Sequence, residues 1–460
     1  MAEPERNQPT STQDPYVRLP ENVLEAPKSF FGGLRFLGPG LIITANIVGT
    51  GELIAAPTLG AQVGFYALWL IVISCMIKVL IQHELGRYTI ITGNTSLRGF
   101  NGVPGPKLGV RWIVWLWAIM VLFSLFQNGA MVGGIGQALH WVVPSVPAKV
   151  WSVMSVLVCI GMLIQGTYQP IQRAVTFMVA GFSIITFICV IVLQWTPNPI
   201  DLADILKGFE FKLPGGGLVV AFATFGIVGV GATELIQYPY WCLEKGYARF
   251  TGERADDDVW LARAKGWLRV MRLDIAMAMI IYTVATIAFF LLGAHILYGN
   301  QVIPKGAEMI RTLSMMYTQS LGPWASYLFL AGAIIVLYST LYASTAAHSR
   351  TYIDMFHIAG WISIEDSEAR MRWVRRLTVI LPCIAAGYFF WLGQPVLMVV
   401  IGGTAQATML PVIGFVAIYL RYKHGEKRLQ PSLIVDILLW ITVCLMAAFA
   451  LFNIYTRLLT

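Results

Sequence analysis

The sequence predicts an all-α integral membrane protein of about eleven transmembrane helices, ten of them forming an inverted repeat of five plus five with helices one and six broken. Three observations carry this. Of 460 residues, 57% are hydrophobic and 12% charged, and mean hydropathy is +0.68, values foreign to a soluble domain. Apolar runs of about 20 residues, the length that crosses a bilayer as a helix, recur from near residue 37 to near 455. One short phrase occurs twice: Thr50-Gly51-Glu52-Leu53-Ile54-Ala55-Ala56-Pro57 and Ala232-Thr233-Glu234-Leu235-Ile236-Gln237-Tyr238-Pro239. Glu, Leu, Ile and Pro hold the same relative places in both.

Taken in order, the helices fall near 37–61, 66–90, 112–141, 150–165, 171–195, 217–241, 267–299, 321–348, 373–391, 394–420 and 433–455. The phrases lie in helices one and six, so residues 37–195 form the first repeat and 217–420 the second. Residues 433–455 add an accessory helix. Five is odd, so the second repeat enters the membrane from the opposite side. Most of the 32 Lys and Arg residues fall in segments that become cytoplasmic if the N-terminus is inside, and this sets the expected topology. A plasma (inner) membrane is the expected location. Residues 1–36 read as a cytoplasmic tail, polar, Pro-containing and disordered over its first 30 residues.

The net charge of +8 follows from this topology, so no nucleic-acid partner is expected. The six cysteines show no short-spaced pairs and read as small buried hydrophobes. No Walker loop, dinucleotide fingerprint or Ser/His/Asp set appears, so no enzyme and no cofactor is expected. The charged stretches 242–266, expected to hold a short surface helix, and 349–376, with Glu365, Asp366 and Glu368 among four arginines, read as solvated connectors.

The breaks are the candidate binding site. A helix interrupted in the bilayer leaves backbone groups unpaired at several kcal/mol each, unless the break is buried in protein or lines a watery cavity. Gly49 and Gly51 permit the first break; Gly229, Gly231 and Pro239 permit the second. Paired interruptions in two repeats point to the substrate site of a secondary transporter. Each break carries a carboxylate, Glu52 or Glu234, which costs roughly 2.5–3.5 kcal/mol at a membrane helix centre. The alternative reading is a protonated structural acid. Thr50 and Thr233 add hydroxyls, or bond their own backbone. Lys78, His83, Glu84 and Arg87 on helix two read as a helix end, with Glu84 and Arg87 spaced to pair. Gln127, Asn128, Gln137 and His140 on helix three, and Thr404, Gln406 and Thr408 on helix ten, are candidate pathway residues. Arg272 and Asp274 read as an interfacial pair.

The stretch from Gly38-Pro39-Gly40 to Gly60-Ala61 resembles the first helix of the Nramp family of divalent-metal transporters, and Gly231-Ala232-Thr233 resembles that family's helix-six break. The Gln82 region, Thr92-Gly93 and Leu410-Pro411 are similar too. The resemblance spans roughly 37–420. It implies a leucine-transporter-like fold with alternating access, a fold that often works as a monomer, with membrane lipid and a small ion or solute as partners. It also marks departures. The family's Asp-Pro-Gly-Asn falls on Gly49-Thr50-Gly51-Glu52. Its selective Met falls on Leu235 and its neighbouring His on Gln237, while its carbonyl ligand matches Ala232. The acidic pair of helix three falls on Asn128 and Met131, and the Gln of helix ten on Gly403, one turn before Gln406.

The resemblance therefore implies a weakened soft-metal site and a weakened proton path, with carboxylates gained at Glu52 and Glu234. Oxygen ligands without thioether or imidazole favour Mg²⁺, Mn²⁺ or Ca²⁺ over softer metals, and Mg²⁺ or Mn²⁺ is the expected substrate. The expected site comprises Glu52, Glu234, Gly49, Thr50, Ala232, Thr233 and Gln237, with Glu52, Glu234 and the Ala232 carbonyl on the metal and Asn128 and Gln406 along the pathway. Proton coupling is not expected to be obligatory. A competing reading stays open: Ile47-Val48-Gly49-Thr50-Gly51 also resembles the Gly-Ser-Gly break of amino acid–polyamine–organocation carriers, in which a carboxylate here would meet an amine. A non-transporting receptor of the same fold is a third.

Overall fold

The computed structural model describes residues 16–164, 168–212, 215–364 and 366–459, with backbone alone at 168–177, 215, 367 and 456–459. Residues 1–15 of the expected tail and Glu365 of the second charged connector lie outside the described residues. Among the described residues, nine helical stretches are long and apolar enough to cross a membrane, and the shorter apolar helix Ala148–Ile164 accompanies them. The first stretch, Pro39–Thr92, turns at Gly64 (φ +60°), so it makes two passes. The passes are α1a (Pro39–Ile47) continued by α1b (Ala56–Val63), α2 (Leu68–Thr92), α3 (Trp112–Val142), α4 (Ala148–Ile164) and α5 (Tyr168–Val192). Then come α6a (Leu218–Ile227) with α6b (Ala232–Lys245), α7 (Asp258–Leu292), α8 (Ala325–Ile358), α9 (Ser367–Leu392), α10 (Pro395–His424) and α11 (Leu433–Leu459). A two-stranded hairpin of Lys107–Leu108 and Val110–Arg111 is the sheet among the described residues.

The helix ends follow local chemistry. α7 starts nine residues before the expected 267, because the Asp257 carboxylate accepts from the Trp260 backbone N–H (2.6 Å) and caps the first turn. α8 runs ten residues past 348, since no breaker arrives before Gly360 (φ +76°). Much of both charged connectors is therefore helical. α11 exposes Leu433, Ile434, Ile437, Leu438, Ile441 and Leu445, an apolar face for lipid.

The two breaks are short. At the first, the Gly49 N–H bonds the Ile47 carbonyl (2.6 Å) around Val48 (φ −70°, ψ 48°), an inverse γ-turn, and a π-helical turn over Thr50–Ala55 follows. Gly49 has no room for a side chain, because a Cβ would collide with Thr340 of α8. At the second, Val228–Gly231 separates the half-helices, with Gly229 at φ +66° and backbone packed on Cys75. Pro239, expected to contribute to the break, lies inside α6b instead. A proline removes one N–H, whose acceptor would be four residues back, and this does not stop the helix here. The repeated phrase thus forms the turn that leads into α1b in the first repeat and opens α6b in the second.

The N-terminal segment corrects another expectation. From Tyr16 onward it packs on the bundle. Arg18 donates to the carbonyls of Thr89, Ile90 and Ile91 at the end of α2 and to Gly252, while Trp267 Nε1 donates to the Leu24 carbonyl. The last carbonyls of a helix lack partners, and a guanidinium supplies several donors at once.

Glu84 and Arg87 pair as their spacing predicts (2.6 Å), and Arg421 of α10 joins them (2.8 Å) while reaching Asp436 of α11 (2.8 Å). Arg272 and Asp274 do not pair. Two residues apart on a helix, they face different sides, and Asp274 accepts from the Gly38 and Gly40 N–H groups and from Tyr238. Glu84→Gln leaves the buried Arg87 guanidinium without its charge partner and Arg421 with Asp436 alone. Its expected effect is a loss of about 3–5 kcal/mol, visible as a large drop in the thermal-unfolding midpoint of purified protein; an unchanged midpoint would show the network to be dispensable.

Candidate functional site

The site forms where α1b and α6b begin, with α2, α3, α7, α8 and α10 around them. Glu234, at the third position of α6b, is half-buried. Its Oε1 accepts from Asn46 Nδ2 (2.7 Å), at the end of α1a, and its Oε2 from Thr233 Oγ1 (2.8 Å). Gln406 Oε1 accepts from the Thr233 N–H (3.1 Å), and Gln406 Nε2 donates to Gln127 Oε1 (3.1 Å). Asn46 Nδ2 also lies 3.5 Å from Gln237 Oε1. One carboxylate, one hydroxyl and four amides thus meet across α1a, α3, α6b and α10.

Glu52 belongs to a different shell. It is fully buried; its Oε1 accepts from Thr286 Oγ1 of α7 (2.8 Å) and, at 3.5 Å, from the Gly229 N–H. Its Oε2 has no partner among the described residues. The two carboxylates share no hydrogen-bonding partner. Lys78, fully buried on α2, meets the second break. Its ammonium donates to the carbonyls of Phe225 (2.8 Å) and Val228 (2.5 Å), at the C-terminal end of α6a. Ser74 Oγ lies 3.2 and 3.1 Å from the same carbonyls. The half-helix end that would draw a cation is occupied by one built into the chain.

The expected residues divide accordingly. Glu234, Thr233, Gln237 and Gln406 come together. Gly49 forms the first break against Thr340, whose Oγ1 reaches the Ala45 carbonyl (3.2 Å), and Thr50 is buried in the turn beyond it. Ala232 opens α6b, which places its carbonyl in the helical ladder; the break carbonyls of α6a are held by Lys78 and Ser74. Asn128 sits with α8, its Oδ1 accepting from Ser344 Oγ (3.0 Å), which also contacts His348 Nδ1 (3.1 Å). Gln137 and His140 bond the Gly306 and Val146 carbonyls, and Thr408 its own helix, so these three serve local structure. Among the described residues no group of three or more His, Cys, Asp or Glu side chains converges as a metal cluster.

Sequence reasoning missed Asn46 and undervalued Lys78. The signal for Asn46 was present: it is the sole amide in the apolar run 41–48 and lies on the last turn before the break. Lys78 reads as a helix end in one dimension; only packing against α6a shows its role.

Discontinuous helices meeting inside a five-plus-five bundle, with polar side chains gathered at the breaks, define a membrane transporter of the leucine-transporter type. The family model described as Natural resistance-associated macrophage protein-like matches residues 40–456, and the chain belongs to this family, Nramp. Among relatives, the uncharacterized protein PM0681 of Pasteurella multocida is 22% identical over 406 residues, 86% of this chain and 87% of that protein. The divalent metal cation transporter MntH of Bacillus subtilis is 22% identical over 458 residues, 97% and 98% of the two chains. A crystal structure of the Eremococcus coleocola manganese transporter, in complex with an aromatic bis-isothiourea substituted compound, superposes with TM-score 0.64 at 16% identity, covering 96% and 91%. Solved transporters of other families share the architecture at lower TM-scores.

Lys78→Met removes the donor from two buried carbonyls. The expected cost is about 1–3 kcal/mol, measured as a lower thermal-unfolding midpoint, with a smaller loss when Glu52→Gln is combined with it. Additive losses in that double-mutant cycle would show that Lys78 and Glu52 are uncoupled.

Proposed function

We propose that the protein carries a hard divalent cation, Mg²⁺ or Mn²⁺, across the membrane by alternating access, with the ion held at the start of α6b and no obligatory proton coupling. The observation that carries this reading is the donor set around Glu234. Asn46, Thr233, Gln237, Gln406 and Gln127 present only oxygen and amide nitrogen, without thioether, thiolate or imidazole. Such a set suits an ion that prefers oxygen and retains part of its water, Mg²⁺ above all. In this reading Glu234 is the direct ligand. Glu52, sealed behind the break in this conformation, becomes available when α1b and α6a move apart. The family names of the relatives, divalent metal cation transporter and manganese transporter, support the substrate class.

Without coupling, the driving force is the concentration gradient plus membrane potential, ~2.3 kcal/mol per charge per 100 mV. Across a plasma membrane with a negative interior this favours uptake of a doubly charged ion. The test is ion flux into liposomes containing the purified protein. Glu234→Gln should slow Mg²⁺ or Mn²⁺ entry about 10- to 100-fold, the equivalent of the roughly 1.5–3 kcal/mol of an interaction with a charged group, without internal acidification in the wild type. Acidification abolished by His348→Gln would instead establish proton coupling through α8. Absence of metal flux, with Glu234-dependent uptake of an amine or amino acid, would overturn the metal reading.

A further inference from the structure

A cleft of about 530 Å³ opens between α2, α7 and the connection from α10 to α11, and none of its lining residues belongs to α1 or α6. Six lining side chains are basic: His83, Arg87, Lys265, Arg269, Arg272 and Arg428. None is acidic. The nearby carboxylates are already engaged, Glu84 by Arg87 and Arg421, Asp256 and Glu426 by Arg428, Asp436 by Arg421. Lys265, Arg269 and Arg272 have no carboxylate partner among the described residues. Their spacing of four and three places them on one face of α7.

The cleft is also graded along its length. α2 and α7 run antiparallel here: Gly86 packs on Met271, and the Cys75 carbonyl accepts from Tyr282 OH (3.2 Å). The charged parts of both helices therefore lie at the same end. Beyond them the wall becomes apolar on each side, with Ile275, Ala276 and Met279 on α7, Val79 and Leu80 on α2, and Val435 on α11. A soluble phosphate ester would use the charged half and leave the apolar half wet. A phospholipid has the same order of parts, phosphate and then acyl chain, as the cleft.

We propose that this cleft is a binding site for one anionic phospholipid of the surrounding bilayer, its phosphate among Lys265, Arg269 and Arg272 and an acyl chain along Ile275, Met279 and Val79. Basic pockets between membrane helices recognise anionic headgroups, and each cation near the surface adds to the attraction. The site is independent of the transported substrate, so it stands whether or not the cation reading holds.

Native mass spectrometry of the full chain, reconstituted with phosphatidylglycerol and phosphatidylcholine of distinct masses, tests it. The wild type should retain one phosphatidylglycerol with a preference of about tenfold or more over phosphatidylcholine. The triple change Lys265→Gln, Arg269→Gln, Arg272→Gln should abolish that preference. An equal loss of charge elsewhere, Arg372→Gln, Arg375→Gln, Arg376→Gln, should leave it intact. Ala276→Trp, which fills the apolar half with every charge in place, should also weaken retention and serves independently if the triple variant fails to fold. Equal retention by the wild type, the cleft triple and Ala276→Trp would overturn the proposal. So would equal loss in the control triple, which would indicate general surface charge, or displacement of the lipid by millimolar glycerol phosphate, which would indicate a soluble phosphate ester as the ligand.

Discussion

Every backbone carbonyl left free inside a bilayer must find a donor, and the centre of this protein is arranged around that need. Breaking α6 exposes the carbonyls of Phe225 and Val228. Lys78 and Ser74 of α2 meet both, and the lysine that does so is fully buried. The break creates a negative half-helix end, and the lysine answers it. Breaking α1 is managed more simply, by a γ-turn and the hydroxyl of Thr340.

The same solution recurs at the end of α2, where Arg18 from the N-terminal segment covers three successive carbonyls. A cationic side chain at a helix C-terminus satisfies both the hydrogen bonds and the helix dipole. At the surface this pins a segment that composition alone marks as disordered. In the interior it ties α2 to α6a, so that movement of α6a must either carry Lys78 along or release it.

This member of the Nramp family gathers oxygen and amide groups where its broken helices meet. Glu234 with Asn46, Thr233, Gln237 and Gln406 forms a polar knot joining the two half-helices to α10. Asn128 of α3 turns to Ser344 and, through it, to His348, which brings a titratable ring next to a position where the sequence offers only an amide. The Glu234 cluster and the Ser344–His348 pair are therefore separate constellations, which share α3 through the neighbouring residues Gln127 and Asn128.

The number of helices, the two breaks and the pairing of Glu84 with Arg87 were legible in the sequence, because hydropathy runs, glycine clusters and helical spacing are local properties. Glu52 and Glu234 stood out for the same reason, as charges in apolar runs. Their separation into two shells was not legible. Matching positions in an inverted repeat suggest one shared site, yet Glu52 turns to Thr286 while Glu234 turns to Asn46. Nor could spacing place Lys78 against a helix end some 150 residues away, or Arg18 against the end of α2. Which residues are polar, and where the chain breaks, is decided locally. Which partner each polar group finds depends on how α1, α2, α6 and α7 cross, and only the tertiary structure decides that.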